Sequence, residues 1–199
     1  IHNLGLLLRV KGDLAAAEPL CREVLEVARE TLGNRHHQCT LAISGLGNLL
    51  KAKGDLAAAE PLLREALKAT RETLGNRHPH TLTFISNLGL LLQDKGDLAA
   101  AEPLLREALE ATRETLGNRH PSTLTSINNL GVLLYAKGDL AGAEPLYCEA
   151  LKGQRETLGS RHPHTLTSIN NLSVLLQTKG DLAAAEPLLR EALKGRRET

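Results

Sequence analysis

The stretch at residues 79–120 reads P-H-T-L-T-F-I-S-N-L-G-L-L-L-Q-D-K-G-D-L-A-A-A-E-P-L-L-R-E-A-L-E-A-T-R-E-T-L-G-N-R-H, and the rest of the chain consists of copies of it. A Gly-Asp pair marks each copy and recurs every 42 residues, at Gly12-Asp13, Gly54-Asp55, Gly96-Asp97, Gly138-Asp139 and Gly180-Asp181. A fixed period of this length is the signature of a stacked repeat array, in which each copy packs mainly against its neighbours. One copy therefore predicts the structure of the others.

The first half of the copy has the pattern of a helix. Its apolar residues recur at helical spacing and would form one buried stripe, Leu82, Ile85, Leu88, Leu91 and Leu92. Pro79 suits the first helical position, because its missing N–H would have no partner there. Gly96 can adopt the left-handed conformation that ends a helix. We expect a helix over residues 79–95.

The second half begins at once with another helix. Asp97 suits the N-cap, and we expect the helix to run from Leu98 to about Leu116. Its inward stripe mixes small and large apolar residues, Ala101, Leu104, Leu105, Ala108 and Leu109. Every copy has a proline about six residues after the capping aspartate, at Pro19, Pro61, Pro103, Pro145 and Pro187. Because proline removes a backbone hydrogen bond inside a helix, we expect a slight bend there.

Each copy is thus a helical hairpin, and the expected fold class is all-α. We expect about five antiparallel helix pairs in a single solenoid domain over residues 1–199. The repeats are placed at about residues 1–36 (truncated), 37–78, 79–120, 121–162 and 163–199. Ile1 aligns with Ile43 and Ile85, which lie inside a predicted helix, so we expect the chain to be a piece of a longer array or of a multidomain protein.

Composition argues against several kinds of partner. Lysine and arginine number 24 and aspartate and glutamate 23, so the net charge gives no reason to expect nucleic acid. No apolar run approaches the ~20 residues that span a bilayer, so no membrane is expected as partner. The three cysteines, Cys21, Cys39 and Cys148, show no C-x-x-C spacing, which favours a reduced, cytoplasmic protein.

The paired helices resemble the tetratricopeptide repeat. The resemblance rests on Leu130 and Gly131 in the first helix, Ala143 and Ala150 in the second, and Gly138 between them. The 42-residue period with N-N-L-G, G-D-L-A-x-A-E-P-L and L-G-x-R-H-P is similar to the kinesin-light-chain subtype. The resemblance implies a right-handed superhelix whose first helices line a concave side. It also implies a non-enzymatic adaptor that binds peptides or partner proteins.

One face of the first helix is the candidate binding surface. In repeat 4 it contains Thr125, Asn129, Val132 and Ala136, which follow helical spacing. An asparagine amide both donates and accepts, so it can pair with a peptide backbone. The candidate peptide-binding residues are Asn3, Asn87, Asn129, Asn171, Asn128, Asn170, Ser86, Thr83, Thr125, Thr167 and Tyr135. In the resembled family, equivalent asparagines contact cargo peptides. The alternative is that these asparagines only hydrogen-bond between adjacent helices.

Sequence gives no support for metal or catalytic chemistry. Histidines recur once per repeat, at His36, His78, His120 and His162, and residues one repeat apart cannot converge on one ion. We expect them to cap helices and pack in loops, and we expect no metal, no cofactor and no enzymatic activity. The serines lack the strained turn of a nucleophile.

The sequence therefore predicts a scaffold that binds an extended peptide or a partner protein in a concave groove. An alternative is a structural array that stacks end to end and has no dedicated ligand. This alternative predicts exposed apolar residues at both ends of the chain, Leu4, Leu7, Leu8, Leu189 and Leu193. Lys51 and Arg9 would give the amino-terminal half of the groove a slight positive bias.

Overall fold

The computed structural model describes residues 13–197, with side chains up to Lys194. These residues form helices and turns and contain no strand. The helices are α1 (Leu14–Leu32), α2 (His37–Ala52), α3 (Leu56–Leu74), α4 (Pro79–Asp94), α5 (Leu98–Leu116), α6 (Pro121–Ala136), α7 (Leu140–Leu158), α8 (Pro163–Thr178) and α9 (Leu182–Arg197). The all-α prediction is confirmed. Among these helices, none is both long and apolar enough to cross a membrane.

The chain divides into two compact units between Leu104 and Leu105, inside α5. Unit 1 contains α1 to α4 and the start of α5, and unit 2 contains the rest of α5 and α6 to α9. In unit 1, α2 packs against both α1 and α3, and α3 packs against α4. In unit 2, α7 packs against both α6 and α8, and α8 packs against α9. The assignment of residues 1–199 to one domain stays a prediction.

The turn between paired helices is short, and most of its residues take part in ending one helix or starting the next. Gly96 has a φ of +82°, which glycine adopts without a steric penalty. Its N–H donates to the carbonyl of Gln93, and the N–H of Asp97 donates to the carbonyl of Leu92, both at 2.9 Å. These bonds satisfy the last carbonyls of α4. The carboxylate of Asp97 then accepts from the N–H of Ala100 at 3.1 Å and caps α5.

Histidine side chains cap the first helices, as expected. Nδ1 of His78 accepts from the N–H of His80 at 3.2 Å, just before Pro79 at the first helical position. His36, His120 and His162 make the same bond to the residue two positions on. Because Nδ1 accepts, this nitrogen carries no proton in these caps.

The second helices run through their prolines. Pro61, for example, lies inside α3, which continues from Leu56 to Leu74. Helices α1, α7 and α9 likewise contain Pro19, Pro145 and Pro187. The expected bend at these prolines stays a prediction.

Close approach of paired helices depends on small residues in the first helix. A Cβ at Gly47 would lie 2.8 Å from Cδ2 of Leu63, and one at Gly131 would lie 2.8 Å from the ring of Tyr147. Both contacts are shorter than a van der Waals contact, so each glycine makes room for a large side chain of the second helix. Burial raises the pKa of Tyr147 well above its usual range.

Ion pairs connect consecutive second helices. Arg29 contacts Glu65 at 2.7 Å in unit 1, and Arg113 contacts Glu149 at 2.6 Å in unit 2. Ion pairs also form within second helices, for example between Glu18 and Arg22 at 2.7 Å. Each exposed pair contributes only about 0.2–1 kcal/mol. The charged residues of the second helices thus form a salt-bridged surface.

Candidate functional site

The candidate binding surface consists of one face of the first helices. We call it the ladder face and define it separately in each unit. In unit 1 it consists of Leu41, Gly45, Asn48, Thr83, Asn87, Leu90 and Asp94. In unit 2 it consists of Thr125, Asn129, Val132, Thr167, Asn171, Val174 and Thr178. The threonines of both sets are exposed and the asparagines are half-buried, so both residue types are accessible to a ligand.

The candidate threonines already use their hydroxyl hydrogens. Oγ1 of Thr83 donates to the carbonyl of Pro79 at 3.0 Å. Thr125 and Thr167 make the equivalent bonds to Pro121 and Pro163, also at 3.0 Å. Each hydroxyl oxygen can still accept a hydrogen bond. These threonines therefore present acceptors rather than donors to a ligand.

Three polar side chains meet on unit 2, and we call them the amide clamp. Nδ2 of Asn171 donates to Oδ1 of Asn128 at 3.0 Å, and Oγ of Ser168 donates to the same oxygen at 3.3 Å. The contact joins α6 to α8. Such a bond between adjacent helices is what we expect if the asparagines serve only to connect helices. Two of the candidate peptide-binding residues, Asn128 and Asn171, form it. Peptide binding by these residues stays a prediction.

A second contact joins α6 to α8 nearer their carboxyl ends. The hydroxyls of Tyr135 and Thr178 lie 2.9 Å apart. Because Thr178 donates its hydrogen to the carbonyl of Val174 at 2.9 Å, Tyr135 is the donor in this pair. Lys51 and Asp94 occupy the equivalent positions of unit 1 and form an ion pair at 3.1 Å. Asp94 therefore offsets the positive bias that Lys51 was expected to provide.

An apolar pocket, which we call the Leu41 pocket, lies between α1 and α2 and has a volume of about 590 Å³. Its lining residues are Val24, Val27, Ala28, Thr31, Leu32, Gln38, Leu41 and Ala42. Val27, Leu32 and Leu41 are 48%, 41% and 40% exposed. Exposed apolar side chains that lie singly need no explanation, but three in one pocket mark a candidate contact surface.

Sequence reasoning missed the Leu41 pocket, although its signal was visible. Thr83, Thr125 and Thr167 stand where Leu41 stands, so this one repeat replaces a polar residue with an apolar one. Val27 likewise stands where the later repeats have Ala69, Ala111 and Gly153, and Ala28 where they have Thr70, Thr112 and Gln154. Several coordinated changes toward apolar residues therefore meet in a single pocket.

The remaining candidate residues have simple placements. Ser86, Asn170 and Tyr135 are half-buried, as is Asn128 in the amide clamp. Asn3 lies outside the described residues, as do Leu4, Leu7, Leu8 and Arg9. No group of three or more possible metal ligands occurs within residues 13–197. The rings of His37 and His80 lie 4.4 Å apart, and burial lowers the pKa of His80, with additional effects of His37 and His78.

Solved structures with the same fold include kinesin-light-chain-like proteins. BtubC (BKLC) from P. vanneervenii is 26% identical, with a TM-score of 0.83 over 98% of this chain and 78% of that one. A variant of a kinesin light chain-like protein of Podosopora anserina with nearly identical TPR-like repeats is also 26% identical. Its TM-score is 0.84 over 99% of this chain and 93% of that one. MamA from Desulfovibrio magneticus RS-1, at 16% identity and a TM-score of 0.68 over 100% of this chain and 94% of that one, shares the fold.

Family profiles agree with this result. A profile described as Tetratricopeptide repeat matches residues 1–72 and 80–156, a second matches residues 165–199, and a third matches residues 44–114. A sequence search of curated proteins found no match. The helical hairpins, the glycines at their close contacts and the profile matches all lead to the same assignment. The chain belongs to the tetratricopeptide-repeat family and resembles its kinesin-light-chain-like members.

Proposed function

We propose that this chain is a non-catalytic interaction module that binds an extended peptide of a partner protein along its ladder faces. A large apolar side chain of the peptide occupies the Leu41 pocket. The exposure of Val27, Leu32 and Leu41 around one pocket is the observation that carries the proposal. Covering such a surface with an apolar side chain contributes roughly 25 cal/mol per Å² buried.

The chain itself indicates what size of side chain this position accepts. Phe84 stands one repeat after Ala42 and is only 2% exposed. A repeat of this type therefore buries an aromatic ring where the Leu41 pocket has only the methyl group of Ala42. We expect a phenylalanine, tyrosine, tryptophan or leucine of the peptide to supply the missing volume.

The charges near the pocket favour an uncharged anchor residue. Arg29 is paired with Glu65 at 2.7 Å, and Arg35 with Glu72 at 3.2 Å. An ion pair attracts an additional charge much less than a lone ion does. Membership of the tetratricopeptide-repeat family supports a protein-interaction role in general terms, and the pocket supports the specific one.

The test is a displayed-peptide selection on the wild-type chain, followed by affinity measurements on variants. Leu41→Thr installs the residue of the later repeats, and Ala42→Phe fills the pocket with the residue of the next repeat. We expect selected peptides to share a large apolar residue and to lose about tenfold in affinity with either variant, because each removes ~1–2 kcal/mol of apolar burial.

A second comparison tests the asparagines. The combined variant Asn87→Ala, Asn129→Ala and Asn171→Ala should also weaken binding, with helicity measured to confirm the fold. Asn76→Ala provides a control, because it removes an exposed amide outside the ladder faces. Selected peptides that bind wild type, Leu41→Thr and the triple variant equally would exclude the ladder faces as the binding surface.

A second candidate is self-assembly, favoured by the exposed apolar face of α9. Leu182 and Leu193 are 64% and 52% exposed. In contrast, Leu67 and Leu151, which stand at the position of Leu193 in earlier repeats, are only 5% and 4% exposed. A second copy that covers this face would bury them. Sedimentation of the chain over a range of concentrations tests this candidate. Association that persists in Leu193→Glu would count against α9 as the contact.

A further inference from the structure

The amide clamp holds the side chain of Asn171 in one orientation. Its Nδ2 donates to Oδ1 of Asn128 at 3.0 Å, so the nitrogen of the amide, and not its Oδ1, is directed at Asn128. Oδ1 of Asn128 has two lone pairs, and the second accepts from Ser168 at 3.3 Å. Both acceptor sites of this one oxygen are therefore occupied by donors from α8.

Reversing the amides would remove favourable contacts. If Asn171 alone turned over, its Oδ1 would face Oδ1 of Asn128, and two acceptors would lie in contact without a hydrogen. If both amides turned over, Ser168 would lose the oxygen to which it now donates. The hydroxyl would then have to donate to the carbonyl four residues earlier, as Ser126 does to Ser122 at 3.1 Å. The bond from Ser168 to Oδ1 of Asn128 thus favours the described orientation of both amides.

We infer that the amide clamp sets the direction in which an extended peptide runs along the ladder face of unit 2. The inference rests on the proposed function. An asparagine that pairs with a peptide backbone accepts from an N–H with Oδ1 and donates to a C=O with Nδ2. Along an extended strand the N–H of a residue precedes its C=O, so a fixed amide matches one chain direction better than the other.

Asn171 can take part in both contacts because its nitrogen carries two hydrogens. One hydrogen bonds to Asn128, while the second hydrogen and Oδ1 are left for a ligand. Asn171 is half-buried rather than enclosed, so a peptide backbone can reach it. Asn128 acts in this scheme as a positioning residue, because its effect on the peptide passes through Asn171.

Unit 1 does not have the residue types that build this clamp. Ser44 stands where Asn128 stands, and Phe84 stands where Ser168 stands. Both are buried, at 4% and 2% exposure. Asn87, the equivalent of Asn171, therefore has no amide at the corresponding position to orient it.

Two aspartate variants test the orientation without any ligand. Asn128→Asp keeps an oxygen that accepts from Asn171 and Ser168, whereas Asn171→Asp replaces the donor with a third acceptor. We expect Asn128→Asp to keep the wild-type urea midpoint and Asn171→Asp to lower it. Reversed amides would give the opposite order, because Asn128 would then be the donor. That opposite order, or equal midpoints for the two variants, would overturn the clamp.

The direction of the peptide is tested with the peptide from the selection and with the same sequence reversed. We expect the forward peptide to bind wild type at least about tenfold more tightly, the factor expected for one well-made hydrogen bond. Asn128→Ala should reduce this ratio toward one, and Asn128→Asp should keep it. Asn76→Ala is the control, because it removes an exposed amide that lies outside both the ladder faces and the clamp.

The outcomes separate the two proposals. An unchanged forward-to-reverse ratio in Asn128→Ala would overturn the role of the clamp in direction while leaving peptide binding in place. A selection that enriches no peptide would overturn the proposed function and the direction-setting role with it. The two aspartate variants would still decide whether the clamp has the orientation described, as a purely structural brace.

Discussion

Units 1 and 2 connect consecutive first helices at the same positions but with different chemistry. In unit 1 the brace is the ion pair between Lys51 and Asp94, and in unit 2 it is the hydrogen bond between Tyr135 and Thr178. The ladder face of unit 1 adjoins an apolar pocket, whereas that of unit 2 carries the amide clamp. The second helices, in contrast, use the same arginine–glutamate pairs in both units. The contacts between first helices thus differ between the units, whereas these ion pairs between second helices do not.

The largest expected difference between the units is in how much stability is lost when a glycine at a helix contact is replaced by alanine. Gly131→Ala should lower the free energy of unfolding by about 2 kcal/mol, because the added Cβ would meet the rigid ring of Tyr147. Gly47→Ala should cost less than about 1 kcal/mol, because Leu63 can change rotamer. Chemical denaturation of both variants measures the difference.

The chain contains a natural control for this comparison. Ser173 stands at the equivalent position of repeat 5, opposite Leu189, and is fully buried. A Cβ is therefore accepted where the facing residue is a leucine. Equal losses of stability in the two alanine variants would show that the facing side chain does not control the cost.

A smaller difference is expected between the two braces. Tyr135→Phe should lower the free energy of unfolding by about 1 kcal/mol at any salt concentration, because it removes a neutral hydrogen bond. Lys51→Met should cost about 0.5 kcal/mol at low salt and much less in about 1 M NaCl, because ions screen an exposed pair. Denaturation at two salt concentrations measures both effects. A salt-independent loss in Lys51→Met would indicate that packing, and not charge, is responsible.

The smallest expected effect concerns pH and unit 1. Burial of His80, with His37 and His78 nearby, holds its pKa below the usual value near 6.5. The unfolded chain therefore binds a proton more readily than the folded one. The contribution of His80 to stability is complete above about pH 6.5 and is lost as the pH falls from there through the lower folded pKa.

His80→Ser, which installs the residue found at Ser122, should reduce the loss of stability between about pH 7.5 and pH 5.5. His164→Ser removes the equivalent histidine from unit 2 and leaves the contact between His37 and His80 intact. Both variants keep all four histidine caps, so the comparison isolates the contribution of His80. Identical pH profiles for the two variants would contradict the assignment to His80.

The sequence was sufficient to predict the features that depend on neighbours in the chain. The start of α4 at Pro79, the turn at Gly96 and the cap at Asp97 all follow from local rules and are confirmed. The histidine caps were expected for the same reason. Each of these features involves residues within one turn of each other, so residue type and spacing determine them.

Features that depend on contacts between repeats could not be predicted in the same way. The orientation of Asn171 depends on Asn128, which lies 43 residues earlier. The charge of Lys51 is offset by Asp94, which is equally distant in sequence. The Leu41 pocket combines residues of two helices whose register is known only once they pack. Which asparagines bind a ligand stays a prediction.

The turn at Gly-Asp has a consequence for how such a chain changes length. The N–H of Asp97 bonds to the last turn of one helix, and its carboxylate caps the next helix. Because one residue makes both bonds, the turn cannot be lengthened or shortened without losing one of them. One inserted residue would rotate the following helix by about 100° and turn its apolar stripe away from the core. Gain or loss of single residues at this turn would therefore disrupt the helix pair, whereas gain or loss of a whole repeat would keep the two helices of each remaining pair in register.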